Sequence, residues 1–122
     1  MAAQLVIGER QVGDVTILDL RGRLVADEED VLFIGRIDAL LAAGSRHFVV
    51  NFERVTIVDS GGIGTLVAKY LSVRRHGGDI RLANLTPRTR RVLEMTRLLD
   101  VFASFDSEDA AVRSFASDHA VA

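Results

Sequence analysis

Short β-branched apolar runs alternate with segments of 3.6-residue apolar period along almost the whole chain, and this alternation restricts the fold more than any other feature. The run at 15–20 (Val15, Thr16, Ile17, Leu18, Asp19, Leu20) predicts a strand, ended by Arg21-Gly22-Arg23. The run at 47–52 is apolar on both faces and predicts a central strand. Between them, Phe33, Ile34, Ile37, Leu40 and Leu41 fall on one helical face, and Gly44 stands where a C-terminal cap belongs. The acids Asp27, Glu28, Glu29 and Asp30 precede that face, where they favour the positive end of a helix dipole, or alternatively offer a partner-binding patch.

The same rhythm continues to the C-terminus. Glu53-Arg54 predicts a turn before the short apolar run at 55–58, and from Ile63 the period becomes helical, with Leu66, Val67, Tyr70 and Leu71 on one face and Gly77-Gly78 at the end. A strand is predicted over 79–84. Thr86 and Pro87 then open a helix carrying Val92, Leu93 and Met95 and ending near Leu99. A last strand over 101–105 leads to Ser107-Glu108-Asp109, which caps a helix with Ala111, Val112 and Phe115 inward. Residues 117–122 are expected to fray, and 5–7 form a weakly signalled first strand. The predicted order is β-β-α-β-α-β-α-β-α. Helices of crossover length between strands make most of the sheet parallel, so the class is α/β in a single domain over 1–122.

Composition closes off many chemistries. The chain has 122 residues, 48% of them hydrophobic, enough for one core without staples. With no cysteine, disulfides, thiolate metal sites and cysteine nucleophiles are excluded. A net charge of −2 gives no general attraction to nucleic acid. The first residues lack the basic-then-apolar pattern of a secretory signal, and no apolar stretch approaches the roughly 20 residues of a membrane span, so no membrane insertion and a cytoplasmic location are expected. His47, His76 and His119 stand far apart without a carboxylate or second histidine at ligand spacing, so no metal site is predicted. Gly61-Gly62-Ile63-Gly64 is not followed by the lysine of a phosphate loop, and Val58 occupies the first glycine position of a hydrolase elbow. Neither a catalytic residue nor a cofactor is assigned, and the chain is not expected to be an enzyme.

One place carries chemistry: Asp59-Ser60, at the predicted strand-to-helix junction and followed by Gly61, Gly62 and Gly64. Such junctions lie at the surface, and residues opening a helix meet its free N–H groups and positive dipole end. A phosphate on Ser60 would be tolerated there, adding about 1.5–2 negative charges without melting the helix. Local physics alone favours the plainer reading, Asp59 or Ser60 as an N-cap, since Asp and Ser are the commonest caps; the two roles are compatible.

Taken in order, several segments resemble the STAS domain, shared by sulfate transporters and anti-sigma factor antagonists, and are most similar to the free-standing bacterial antagonists. The segments are 15–24, 48–52, the run from Val55 through Asp59-Ser60 to Gly64, 77–84, Val92-Leu93 and 106–111. The resemblance implies a central mixed sheet of four to five strands with helices mainly on one face. It also implies a partner switch. Ser60 would be the phosphoacceptor, presented by Asp59, with Gly61, Gly62 and Gly64 allowing close approach of the partner. That partner would be an anti-sigma factor that is also a serine kinase, bound when Ser60 is unphosphorylated, and a phosphatase would reset the switch. ATP would belong to the kinase. Gly61 stands where antagonists usually carry Ser or Thr, and Val25-Ala26 where they often carry an acid.

Two other readings come from the same residues. A non-switching STAS scaffold, such as a stressosome component or a subunit of a lipid-transport complex, would leave Ser60 as a cap. It would give the basic helix with Arg88, Arg90, Arg91 and Arg97 to an acidic partner, or leave it solvated. A small anion-binding domain would use the glycine-rich turn at the helix N-terminus.

Overall fold

The computed structural model describes residues 5–25 and 30–120. The element order is β1 (Val6–Val12), β2 (Val15–Leu24), α1 (Asp30–Ala42), β3 (His47–Val58), α2 (Ser60–Arg75), β4 (Asp79–Ala83), α3 (Pro87–Met95), β5 (Ser104–Phe105) and α4 (Glu108–Ala120). This is the predicted α/β order. The strands form one five-stranded sheet in the order β1-β2-β3-β4-β5, with β1 antiparallel to β2 and every other pair parallel.

Period-2 alternation splits the buried residues between two faces. Leu18, Leu20, Phe48, Val50, Phe52, Ile80 and Leu82 point to one side. There they meet Phe33 and Ile37 of α1, Ile63, Leu66 and Val73 of α2, and Leu93 of α3. Their sequence neighbours Ile17, Val49 and Ala83 point to the other side and meet Ala111 and Phe115 of α4. Three helices therefore cover one face and a single helix covers part of the other, as the continuous apolar runs required.

Three element boundaries differ from expectation, each for a local reason. Strand β2 does not end at Arg21-Gly22-Arg23, and Glu53-Arg54 is not a turn. Both strands run on, with Leu24 beside Val58. The pairing of Asp19 with Asn51 but Arg21 with Arg54, and of Gly22 with Val55 but Arg23 with Ile57, leaves extra residues in β3. They are absorbed as bulges, and Gly22 at φ 101 supplies the backbone bend opposite them. Asn51 Oδ1 accepts the Glu53 amide at 3.1 Å, satisfying one bulged N–H. Exposed polar residues at a bulge look like a turn in sequence.

Strand β1 extends to Val12, beyond the expected 5–7, because Gly13 at φ 61 makes the two-residue connection to Val15. Finally, α3 stops at Met95, and β5 has two residues instead of five. The amides of Leu98 and Leu99 both turn back to the Leu93 carbonyl, and Val101 N–H bonds Leu98 O, so the backbone of this stretch closes a helix instead of joining the sheet. Phe102 still reaches the core. The acid run at 27–29 lies outside the described residues, while α4 is described as helix to Ala120.

Candidate functional site: the β3–α2 junction

The C-terminal end of β3 delivers Asp59 to the surface in extended conformation (φ −115, ψ 178), and the chain turns helical at the next residue. Asp59 Oδ1 accepts the Gly62 amide at 2.8 Å, and its carbonyl accepts the Ile63 amide at 3.0 Å. Asp59 is thus the N-cap, and Ser60 is the first residue of α2. Both are exposed. Because the cap position is already filled by Asp59, the Ser60 hydroxyl makes no side-chain hydrogen bond among the described residues and stands at the positive end of a 16-residue helix.

The glycines divide by direction. Gly62 is buried against the end of β2: a Cβ there would lie 2.0 Å from the Leu24 carbonyl oxygen. The Asp59 amide also faces that carbonyl, at 3.4 Å. Gly62 therefore lets α2 start tight against β2 and fixes where Ser60 is presented. Gly64 is exposed with open space around its Cβ position, and Gly61 is half-buried, its carbonyl accepting the Thr65 hydroxyl at 3.3 Å. Below Ser60 the outer side of α2 presents Gly64, Ala68 and Leu71, and the start of α1 exposes Val31 and Leu32, at 62% and 51%. Lys69 Nζ and Asp38 Oδ1, 2.9 Å apart, tie the two helices together.

A second polar centre, not singled out from the sequence, lies on the half of the sheet that α4 leaves uncovered. Arg10 Nε and Nη2 donate to the Asp19 carboxylate at 2.7 and 2.9 Å, and Asn51 Nδ2 donates to it at 3.0 Å. Asn84 Nδ2 bonds Asn51 Oδ1 at 3.1 Å, and Arg10 also pairs with Glu108 at the start of α4. The Arg10 guanidinium holds the Asp19 carboxyl below the ordinary carboxylate range against the opposing effect of burial, with a smaller contribution from Asn51. Asp19 within VTILDL and Asn51 within FVVNF were the available clue: a carboxylate in one apolar strand and an amide in the next, aligned in register. The network fills its own hydrogen bonds and joins α4 to the β1–β2 hairpin. No group of three or more His, Asp or Glu side chains suited to a metal occurs among the described residues, and no described helix is long and apolar enough to cross a membrane.

A mixed five-stranded sheet in chain order, with helix α2 capped by Asp59 after its central strand, defines a class of small α/β domain. The description of the STAS domain matches residues 9–111, and the chain belongs to that family. It is similar to an anti-sigma F factor antagonist of Paenibacillus polymyxa, 24% identical over 94 residues that make up 77% of this chain and 80% of the relative. It is also similar to the anti-sigma-B factor antagonist of Bacillus subtilis (strain 168), 36% identical over 61 residues, 50% of this chain and 56% of the relative. Among solved structures, a candidate anti-sigma factor antagonist from Thermotoga maritima superimposes with a TM-score of 0.82 at 26% identity, covering 88% of this chain and 92% of that one. The phosphorylated form of SpoIIAA, a Bacillus cell fate determinant, shares the fold with a TM-score of 0.70 at 22% identity, covering 89% and 99%.

Proposed function

We propose that this protein is an anti-sigma factor antagonist working as a phosphorylation-controlled partner switch, with Ser60 as the phosphoacceptor. The observation that carries the reading is the division of labour at the junction. Asp59 caps α2, so the Ser60 hydroxyl is exposed and uncommitted at the first helical position. The names of the similar proteins support it.

The chain is a binding module and substrate, not an enzyme. In its unphosphorylated form it binds an anti-sigma factor that is also a serine kinase, through Asp59, Ser60, Gly61 and Gly64, while Gly62 keeps the helix start in place. The kinase brings ATP. The Ser60 oxygen takes the γ-phosphoryl group, ADP leaves, and the serine proton passes to a base of the kinase. The phosphate then faces the free N–H groups of α2, which accommodate it, but it adds bulk and charge where the partner docked. The complex dissociates, and a phosphatase restores the hydroxyl. The setting is the cytoplasm.

Incubation with a cognate anti-sigma kinase and ATP should add one phosphate, and Ser60→Ala should abolish it while leaving the kinase bound. Ser60→Asp should weaken kinase binding by roughly ten-fold or more, because charge enters a desolvated contact. Phosphate found on a different serine, or recovery of transporter subunits and no kinase from a pull-down, would overturn the assignment.

A further inference from the structure

Helix α3 is the most polar helix of the fold, and its outward cations lack the carboxylate partners that several arginines and Lys69 have elsewhere. Arg10 pairs with Asp19 and Glu108, Arg36 with Glu9, Lys69 with Asp38, Arg81 with Asp79 and Arg113 with Asp109. Arg88 and Arg91 are exposed, and among the described residues neither comes within ion-pair distance of a carboxylate. They are one turn apart, where like charges on a helix repel, and Arg90 adds a third cation beside them. Arg88 makes one long bond, Nη1 to the Thr56 carbonyl at 3.5 Å. Between Pro87, Arg88 and Arg91 is an open notch of about 230 Å³. One turn beyond Arg91 on the same outward line is Met95, 76% exposed, the most exposed of the large hydrophobic side chains among the described residues.

Neither feature benefits the isolated fold. Unrelieved repulsion along the helix is unfavourable, and a methionine almost wholly in water gains nothing from burial. Together they describe a contact surface, since arginine and methionine are enriched where proteins dock and exposed apolar groups beside charge mark such places.

We propose that the outward ridge of α3, formed by Arg88, Arg91 and Met95, docks an acidic segment of a partner protein that carries an apolar side chain next to its carboxylates. One carboxylate enters the notch between the arginines, and the apolar group covers Met95. A nucleic acid suits the ridge less well. It spans only about 10 Å along the helix axis and has no aromatic side chain for stacking. The ridge does not include Ser60, and the proposal does not depend on phosphorylation.

The test uses fluorescence anisotropy with the whole chain at low salt and two labelled probes, hexaglutamate and a peptide alternating glutamate with leucine at equal charge. The alternating peptide should bind more tightly. Arg88→Gln with Arg91→Gln should weaken both by roughly ten-fold, the sum of two exposed charge pairs. Met95→Ser should weaken only the alternating peptide, by a few-fold. Ser60→Ala and Ser60→Asp should change neither affinity, so failure of this proposal is distinguishable from failure of the switch. Circular dichroism checks that the variants fold; all three positions are exposed. No binding of either peptide, binding indifferent to the arginine pair, or tighter arginine-dependent binding to phosphatidylserine vesicles or oligothymidylate would overturn the proposal.

Discussion

Two glycines two positions apart in the sequence neighbourhood of Ser60 carry opposite constraints. Gly62 has the Leu24 carbonyl oxygen 2.0 Å from where a Cβ would be, and backbone cannot yield as a flexible side chain can. Gly62→Ala should therefore push α2 away from β2 and cost about 1–3 kcal/mol in urea unfolding, and it should also weaken kinase binding by misplacing Ser60. Gly64 meets nothing within 4 Å, and a helix-interior glycine is a poor helix former, so Gly64→Ala should stabilise the fold by about 0.5–1 kcal/mol. Any loss of partner affinity in that variant would then belong to the contact and not to the fold. Asp59→Ala removes the cap of α2 and should cost about 1 kcal/mol, measured in the same unfolding experiment. The sequence alone left the cap open between Asp59 and Ser60. The extended backbone at Asp59 decides it, leaving the exposed Ser60 hydroxyl outside the cap.

At the scale of elements, the helices and the central strand were legible because their apolar periodicity comes from burial, and burial is what sequence pattern records. The Thr86 cap with Pro87 was legible for the same kind of reason, since the chemistry is local: Thr86 Oγ1 accepts the Thr89 amide at 3.1 Å. The bulges of β3 were not legible, because they arise from registration against β2, a relation between residues about 30 apart. Nor was the Arg10–Asp19–Asn51 network, whose members come from three strands. That network makes a pH prediction. The folded-state pKa of Asp19 is depressed, so its contribution is present above the unfolded value of about 3.9 and is lost as pH falls through the lower folded value. Asp19→Asn should therefore destabilise the protein more at pH 7 than at pH 3, read from urea midpoints at the two pH values. The loss is moderate because Asp19 and Arg10 are both partly exposed, so solvent screens their pairing.

For the whole molecule, the position of Ser60 predicts what phosphorylation leaves alone. A negative group at the first residue of α2 opposes no buried contact and lies at the favourable end of the helix dipole, which offsets repulsion from Asp59. Phosphorylated protein and Ser60→Asp should keep the far-ultraviolet circular dichroism of the unmodified chain and lose no thermal stability. A switch built this way alters a surface and spares the core. The sheet order has a further consequence. Strands lie side by side in the order in which the chain supplies them, so no strand must be inserted between two that are already paired. Each new crossover closes a loop of one helix only, which keeps loop-closure entropy low and folding quick for a largely parallel sheet. A chain emerging from synthesis can add each strand to the edge left by the last, with the exposed edge moving steadily from β2 toward β5. The final helix then closes over Ile17 and Val49 on the opposite face, completing the second core only when the last strand is in place.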